Sequence, residues 1–101
     1  MLELYQFEAC PYSRKVREKM SELEVDYLLR NVSSDKSKRE RLIQVSGQDG
    51  VPTLIDSNLD LIIPADEDKI IEHIEKYYRQ KKHKVLPKER LTPPSRNPSI
   101  S

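Results

Sequence analysis

The chain has 101 residues, 36% of them hydrophobic and 35% charged, with one cysteine, two histidines and a net charge of +1. This length suits one small domain. A lone cysteine excludes an intramolecular disulfide and a cysteine-based zinc cluster, and two isolated histidines argue against a metal site. No run approaches the roughly 18 apolar residues of a membrane span, and the start, with Glu3 and Glu8, does not read as a secretory leader, so a reducing, cytoplasmic setting is expected.

Leu2 to Phe7 reads as a strand buried on at least one side, with Leu2, Leu4 and Gln6 on one face and Tyr5 and Phe7 on the other. It ends at Ala9-Cys10-Pro11-Tyr12-Ser13. Pro11 suits a first helical position, where its missing N–H costs nothing. Tyr12, Val16, Met20 and Leu23 then form one helical stripe, which ends near Glu24. This places the single thiol at a helix N-terminus, whose unpaired N–H groups and dipole favour a thiolate, the nucleophilic form. An inert buried thiol is the plainer fate of a lone cysteine, but it does not need a proline after it at a strand-to-helix junction.

Val25 to Val32 has strand character, and its placement after a helix predicts a parallel pairing with the first strand. Ser33-Ser34-Asp35 offers N-caps for a polar helix of about 10 residues, Lys36 to Val45. Ser46-Gly47 fits its C-terminus. Thr53–Asp56 and Leu59–Ile63 flank the turn signal Ser57-Asn58 and read as a hairpin. Pro52 at the strand entry is a candidate cis bond. Pro64-Ala65-Asp66-Glu67-Asp68 opens a last helix with acids in its first turn. Its apolar positions Ile70, Ile71, Ile74, Tyr77 and Tyr78 are expected in the core. Beyond 81 periodicity is lost. Lys82, Lys84, Lys88, Arg90 and Arg96 stand against Glu89, a net +4, so residues 1–81 carry −3. Residues 1–81 are therefore expected to form the domain, and 82–101 a basic, Pro/Ser-rich, disordered tail. Its cations lack interleaved aromatics, which argues against nucleic-acid binding.

The order β-α-β-α-β-β-α, with Cys10-Pro11-Tyr12 after the first strand and Val51-Pro52 before the third, resembles the glutaredoxins. It is also similar to the N-terminal domain of glutathione transferases. The likeness covers about residues 2–80 and includes Lys15-Val16-Arg17 and Arg39 to Asp56 with Ser46-Gly47-Gln48. It implies an α/β thioredoxin-like fold, a four-stranded mixed sheet with helices on both faces. It also implies glutathione as co-substrate, with Cys10 as nucleophile, Tyr12 over the tripeptide, and Val51 pairing its backbone with the cysteinyl residue beside a cis Pro52. Arg39 would reach the glycine carboxylate, and Asp66, with Glu67 or Asp68, the γ-glutamyl end. Read by themselves, Arg39 fits a solvated helix residue and the acids a capped helix start.

Three departures from the family pattern bear on function. Ser13 replaces the resolving cysteine of dithiol relatives, though its hydroxyl can still donate to a thiolate. Ile63-Pro64-Ala65 replaces the usual Gly-Gly, and Glu8 stands where many relatives have a base. The expected activity is monothiol thiol–disulfide exchange on glutathionylated proteins by a monomer, with glutathione or another small thiol regenerating Cys10. Two other readings stay open: a dimer holding a 2Fe–2S cluster on Cys10 and glutathione thiolates, and a thiol-binding or interaction module without turnover.

Overall fold

A computed structural model describes residues 1–79, so the expected tail over 82–101 lies outside the described residues. The elements are β1 (Leu2–Gln6), α1 (Pro11–Glu22), β2 (Leu28–Asn31), a 3-10 turn at Lys36–Lys38, α2 (Glu40–Ser46), β3 (Thr53–Asp56), β4 (Leu61–Ile63) and α3 (Glu67–Tyr77). The four strands form one mixed sheet in the order β2-β1-β3-β4. β1 runs parallel to β2 and antiparallel to β3, and β3 pairs antiparallel with β4. The architecture is thioredoxin-like.

β1 is buried on both faces, as befits an interior strand. Leu2 and Leu4 join Val16, Met20, Leu54, Ile70 and Ile74 in the core between the sheet and the α1–α3 layer. On the other face, Tyr5 and Phe7 lie under the guanidinium groups of Arg41 and Arg39 from the α2 segment. The alternation along β1 thus sorts its side chains between two helical layers, and the two-residue side-chain period of a strand is the cause.

Several element boundaries differ from the sequence-based expectation, each for a local reason. α1 stops at Glu22, and Glu24 takes φ 57°. Val25 turns its N–H back to Met20 O at 2.8 Å and plugs the core, so β2 starts only at Leu28. The expected helix from Lys36 is interrupted at Arg39, whose φ −104° and ψ 49° are not helical. Gly47 ends α2 at φ 78°, where a left-handed residue is needed. The hairpin connection spans residues 57–60 rather than two residues: the Asp56 side chain accepts the N–H groups of Asn58 and Leu59, and Asp60 takes φ 53°. That side-chain turn replaces a tight backbone one.

The last helix begins at Glu67, with Asp66 as its N-cap accepting Lys69 N–H at 3.0 Å. Its apolar stripe is narrower than expected: Ile70 and Ile74 are buried, but Tyr77 is 52% exposed and is not a core residue. His73 fills the position beside them, and Tyr77 lies at the rim with its ring 4.9 Å from the imidazole. Tyr12, placed on the α1 stripe by its spacing, is likewise exposed at the helix start.

Candidate functional site

The site gathers at the end of the sheet where β1 stops. Cys10 is the N-cap of α1, and its Sγ accepts the Ser13 N–H at 3.4 Å. Pro11 follows at the first helical position, so one of the orphan N–H groups of the helix end is absent by chemistry and another is aimed at sulfur. The Cys10 amide is itself fixed, donating to Phe7 O at 3.1 Å. The thiol is 4% exposed, with Pro11 and Tyr12 exposed beside it. Ser13 is fully buried, and its Oγ is the one buried side-chain oxygen or nitrogen among the described residues with no hydrogen-bond partner. A buried hydroxyl left unpaired is costly. One helical turn from the sulfur, it is a donor without an acceptor.

The β1–β3 register brings the second half of the site to the first. Tyr5 pairs with Thr53, and extending that register sets Val51 and Pro52 opposite the end of β1 and the turn that carries Cys10. The Val51–Pro52 peptide bond is cis. Pro52 is buried, and Val51 is half-buried.

Side-chain bonds internal to the Ser46–Thr53 loop hold it. Gln48 Nε2 donates to Ser46 Oγ at 2.8 Å and to Thr53 Oγ1 at 3.0 Å, while its Oε1 accepts the Gly50 N–H at 2.6 Å. Thr53 Oγ1 donates to Gly50 O at 2.7 Å and accepts the Ala65 N–H at 3.3 Å, which joins the loop to the entry of α3. There the two segments touch so closely that a Cβ on Gly50 would lie 2.6 Å from Ala65 Cβ. Gln48 lies in a stretch that the family resemblance marks, but the loop-holding bonds of Gln48 and Thr53 are not legible in the sequence. Their one trace there is the polar pair bracketing Val51-Pro52, which chemistry-bearing residue types alone do not mark.

Asp66, Glu67 and Asp68 follow Ala65 at the start of α3. Asp66 caps the helix, and Asp68 reaches Lys15 Nζ on α1 at 3.3 Å. Glu8 is exposed and faces Arg17, with Nη2 3.7 Å from its carboxylate and 3.2 Å from its carbonyl. Arg17 Nη1 also donates to Gln6 Oε1, and Gln6 in turn to Asn31. The acid near the sulfur therefore faces a cation rather than standing alone.

Arg39 is buried, 4% exposed, and each of its three nitrogens donates to a backbone carbonyl: Nε to Ser33 O at 2.8 Å, Nη1 to Asp49 O at 2.8 Å and Nη2 to Ser34 O at 3.3 Å. Away from the thiol, Asp56 is fully buried at the other end of β3, bonded by His73 Nε2 at 2.8 Å and Tyr78 OH at 2.7 Å. Burial pushes its carboxyl up, but the bonds from His73, Tyr78, Leu59 and Asn58 outweigh that and hold it below the usual carboxylate range. This cluster, absent from the sequence reading, ties the strand behind Pro52 to α3. Among the described residues no group of three or more His, Cys, Asp or Glu stands together to hold a metal ion.

The glutaredoxin family profile matches residues 2–58. A relative from Clostridium pasteurianum, an uncharacterized glutaredoxin-like 8.6 kDa protein in the rubredoxin operon, is 34% identical over 74 residues, covering 71% of this chain and 99% of its own length. Among solved structures, glutathione S-transferase isozyme E7 of Drosophila melanogaster is 31% identical with a TM-score of 0.68, the match covering 90% of this chain and 40% of that one. A diazinon-metabolizing glutathione S-transferase of the silkworm Bombyx mori is 26% identical with a TM-score of 0.65, covering 78% of this chain and 39% of its own. The chain thus spans about two fifths of the length of these transferases.

Proposed function

The chain belongs to the glutaredoxin family, and from that premise we propose that it is a glutathione-dependent thiol–disulfide oxidoreductase that works through one thiol. The observation that carries this reading is Cys10 Sγ held at a helix N-terminus on the Ser13 N–H, beside a loop whose Val51–Pro52 bond is cis. A helix end that offers N–H groups stabilises a sulfur anion, and the anion is the attacking species.

In the proposed cycle the Cys10 thiolate attacks the glutathione sulfur of a protein–glutathione mixed disulfide. The new bond joins Cys10 to that sulfur, the old disulfide breaks, and its electron pair leaves on the protein thiol, which takes a proton. A second glutathione thiolate then attacks the glutathione sulfur on Cys10, releasing oxidised glutathione and restoring the thiolate. Among residues 1–79 there is no other cysteine to resolve the intermediate, and none is present in the rest of the sequence. The second sulfur must come from solution. In this reading Val51 meets the cysteinyl backbone of the tripeptide, Tyr12 lies over it, and Asp66 with its helix end receives the γ-glutamyl group. The Ser13 hydroxyl, buried and without a hydrogen-bond partner one helical turn from the sulfur, would turn its proton to the thiolate once that forms.

Mass spectrometry of the full chain after incubation with oxidised glutathione tests the reading. A gain of one glutathionyl group on Cys10, reversed by excess glutathione, is the expected result, together with turnover of a glutathionylated peptide that is lost in Cys10→Ala. No adduct, or full turnover by Cys10→Ala, would refute it.

A further inference from the structure

We propose that Arg39 is the positioning residue of this site: its guanidinium ties the cis-proline loop and the loop after β2 to the turn that carries Cys10. This deepens the reading of the same site and rests on it for its functional arm only. Four contacts carry it. Nη1 bonds Asp49 O, two residues before Val51. Nε and Nη2 bond Ser33 O and Ser34 O in the loop that leaves β2. The guanidinium carbon lies 5.2 Å from the centre of the Phe7 ring, and Phe7 O accepts the Cys10 N–H at 3.1 Å. One side chain thus touches the loop after β2, the cis-proline loop and the turn that carries Cys10.

The chemistry requires arginine. A planar fork can serve three carbonyls in fixed directions while its face rests on an aromatic ring; an ammonium is a point charge with no face and no fork. Burial makes these bonds obligatory, because a desolvated cation without partners is expensive. Among the described residues no acidic side chain is hydrogen-bonded to this guanidinium: Asp35 acts on it through its charge without a bond, and the Asp49 carboxylate lies 3.9 Å from Lys36 Nζ. The three carbonyls therefore supply the guanidinium's hydrogen bonds, and in return the guanidinium holds them. The break in the helix at Arg39 serves the same end, since non-helical φ and ψ occur where this side chain reaches back to the loops.

The competing role for a cation at this position is to grip a ligand carboxylate, and the two roles separate experimentally. In the ligand-free full chain, amide hydrogen exchange over 47–53 is expected to speed by about 10-fold or more in Arg39→Lys and in Arg39→Met, with α1 and α3 unaffected. Exchange turnover is then compared with mixed disulfides of glutathione and of γ-glutamylcysteine, which lacks the glycine carboxylate. Positioning predicts a fall in kcat/KM on the order of 10- to 100-fold that is the same for both substrates, with little rescue by lysine. Unchanged hydrogen exchange, or a defect that is confined to glutathione and repaired by Arg39→Lys, would overturn the proposal in favour of a carboxylate grip. If the unaltered chain has no exchange activity at all, the function proposed above fails, and hydrogen exchange still decides the role of Arg39.

Discussion

Replacing Asp56 by asparagine tests whether the buried end of β3 is an electrostatic joint or inert filling. The native carboxylate accepts two side-chain bonds, from His73 at 2.8 Å and Tyr78 at 2.7 Å, and two from the turn amides of Asn58 and Leu59 at 3.0 and 3.3 Å. The turn amides belong to exposed residues, where water can replace the lost acceptor. The loss therefore concentrates in the two side-chain bonds. Hydrogen bonds to a charged group contribute about 1.5–3 kcal/mol each. The amide keeps one acceptor oxygen and the shape, so Asp56→Asn is expected to lose about 2–3 kcal/mol. A domain of this size has roughly 4–12 kcal/mol in all, which makes the change large.

The pH dependence follows from the lowered carboxyl of Asp56. A group whose folded value is depressed contributes fully above its unfolded value, about 3.9 for aspartate, and loses that contribution as pH falls through the folded value. Urea melts of the native chain and Asp56→Asn should therefore differ at about pH 5, and the gap should close as pH falls below about 3.9. His73 and Tyr78 are the titratable groups that face the carboxylate. A gap that stays constant down to pH 3, or a variant as stable as the native chain, would refute the reasoning.

Ser13→Ala should separate stability from activity. Removing a buried hydroxyl that has no partner is expected to leave stability unchanged or raise it by about 1 kcal/mol, while glutathione exchange at fixed pH slows by roughly 5-fold, the equivalent of one hydrogen bond; a variant that is both less stable and fully active would contradict this. Gly50→Ala forces a Cβ to within 2.6 Å of Ala65 Cβ and 2.8 Å of Gln48 Oε1. Overpacking of this kind costs about 1–3 kcal/mol, visible as a lower urea midpoint. Ala65→Gly, which also relieves the left-handed φ of 49°, should restore most of it.

Much of the fold was legible because it follows from local periodicity. The two-residue alternation from Leu2 to Phe7 and the helical spacing of Val16, Met20, Ile70 and Ile74 each name a face without reference to the rest of the chain. Cys10-Pro11 likewise announces a helix N-terminus at the thiol, since capping and proline preferences act within one turn. What failed locally did so where a distant group intervened. Tyr77 has the spacing of a core residue, yet His73 takes the inner position because Asp56, on another element, offers it a partner. Arg39 reads as a solvated helix residue until Ser33, Ser34 and Asp49 converge on it. Sequence by itself determined the element order and the thiol at its helix end, because both are set by neighbours along the chain. Tertiary structure alone decided which polar side chains are buried and what they hold, because a buried charge takes its partners from wherever the fold supplies them.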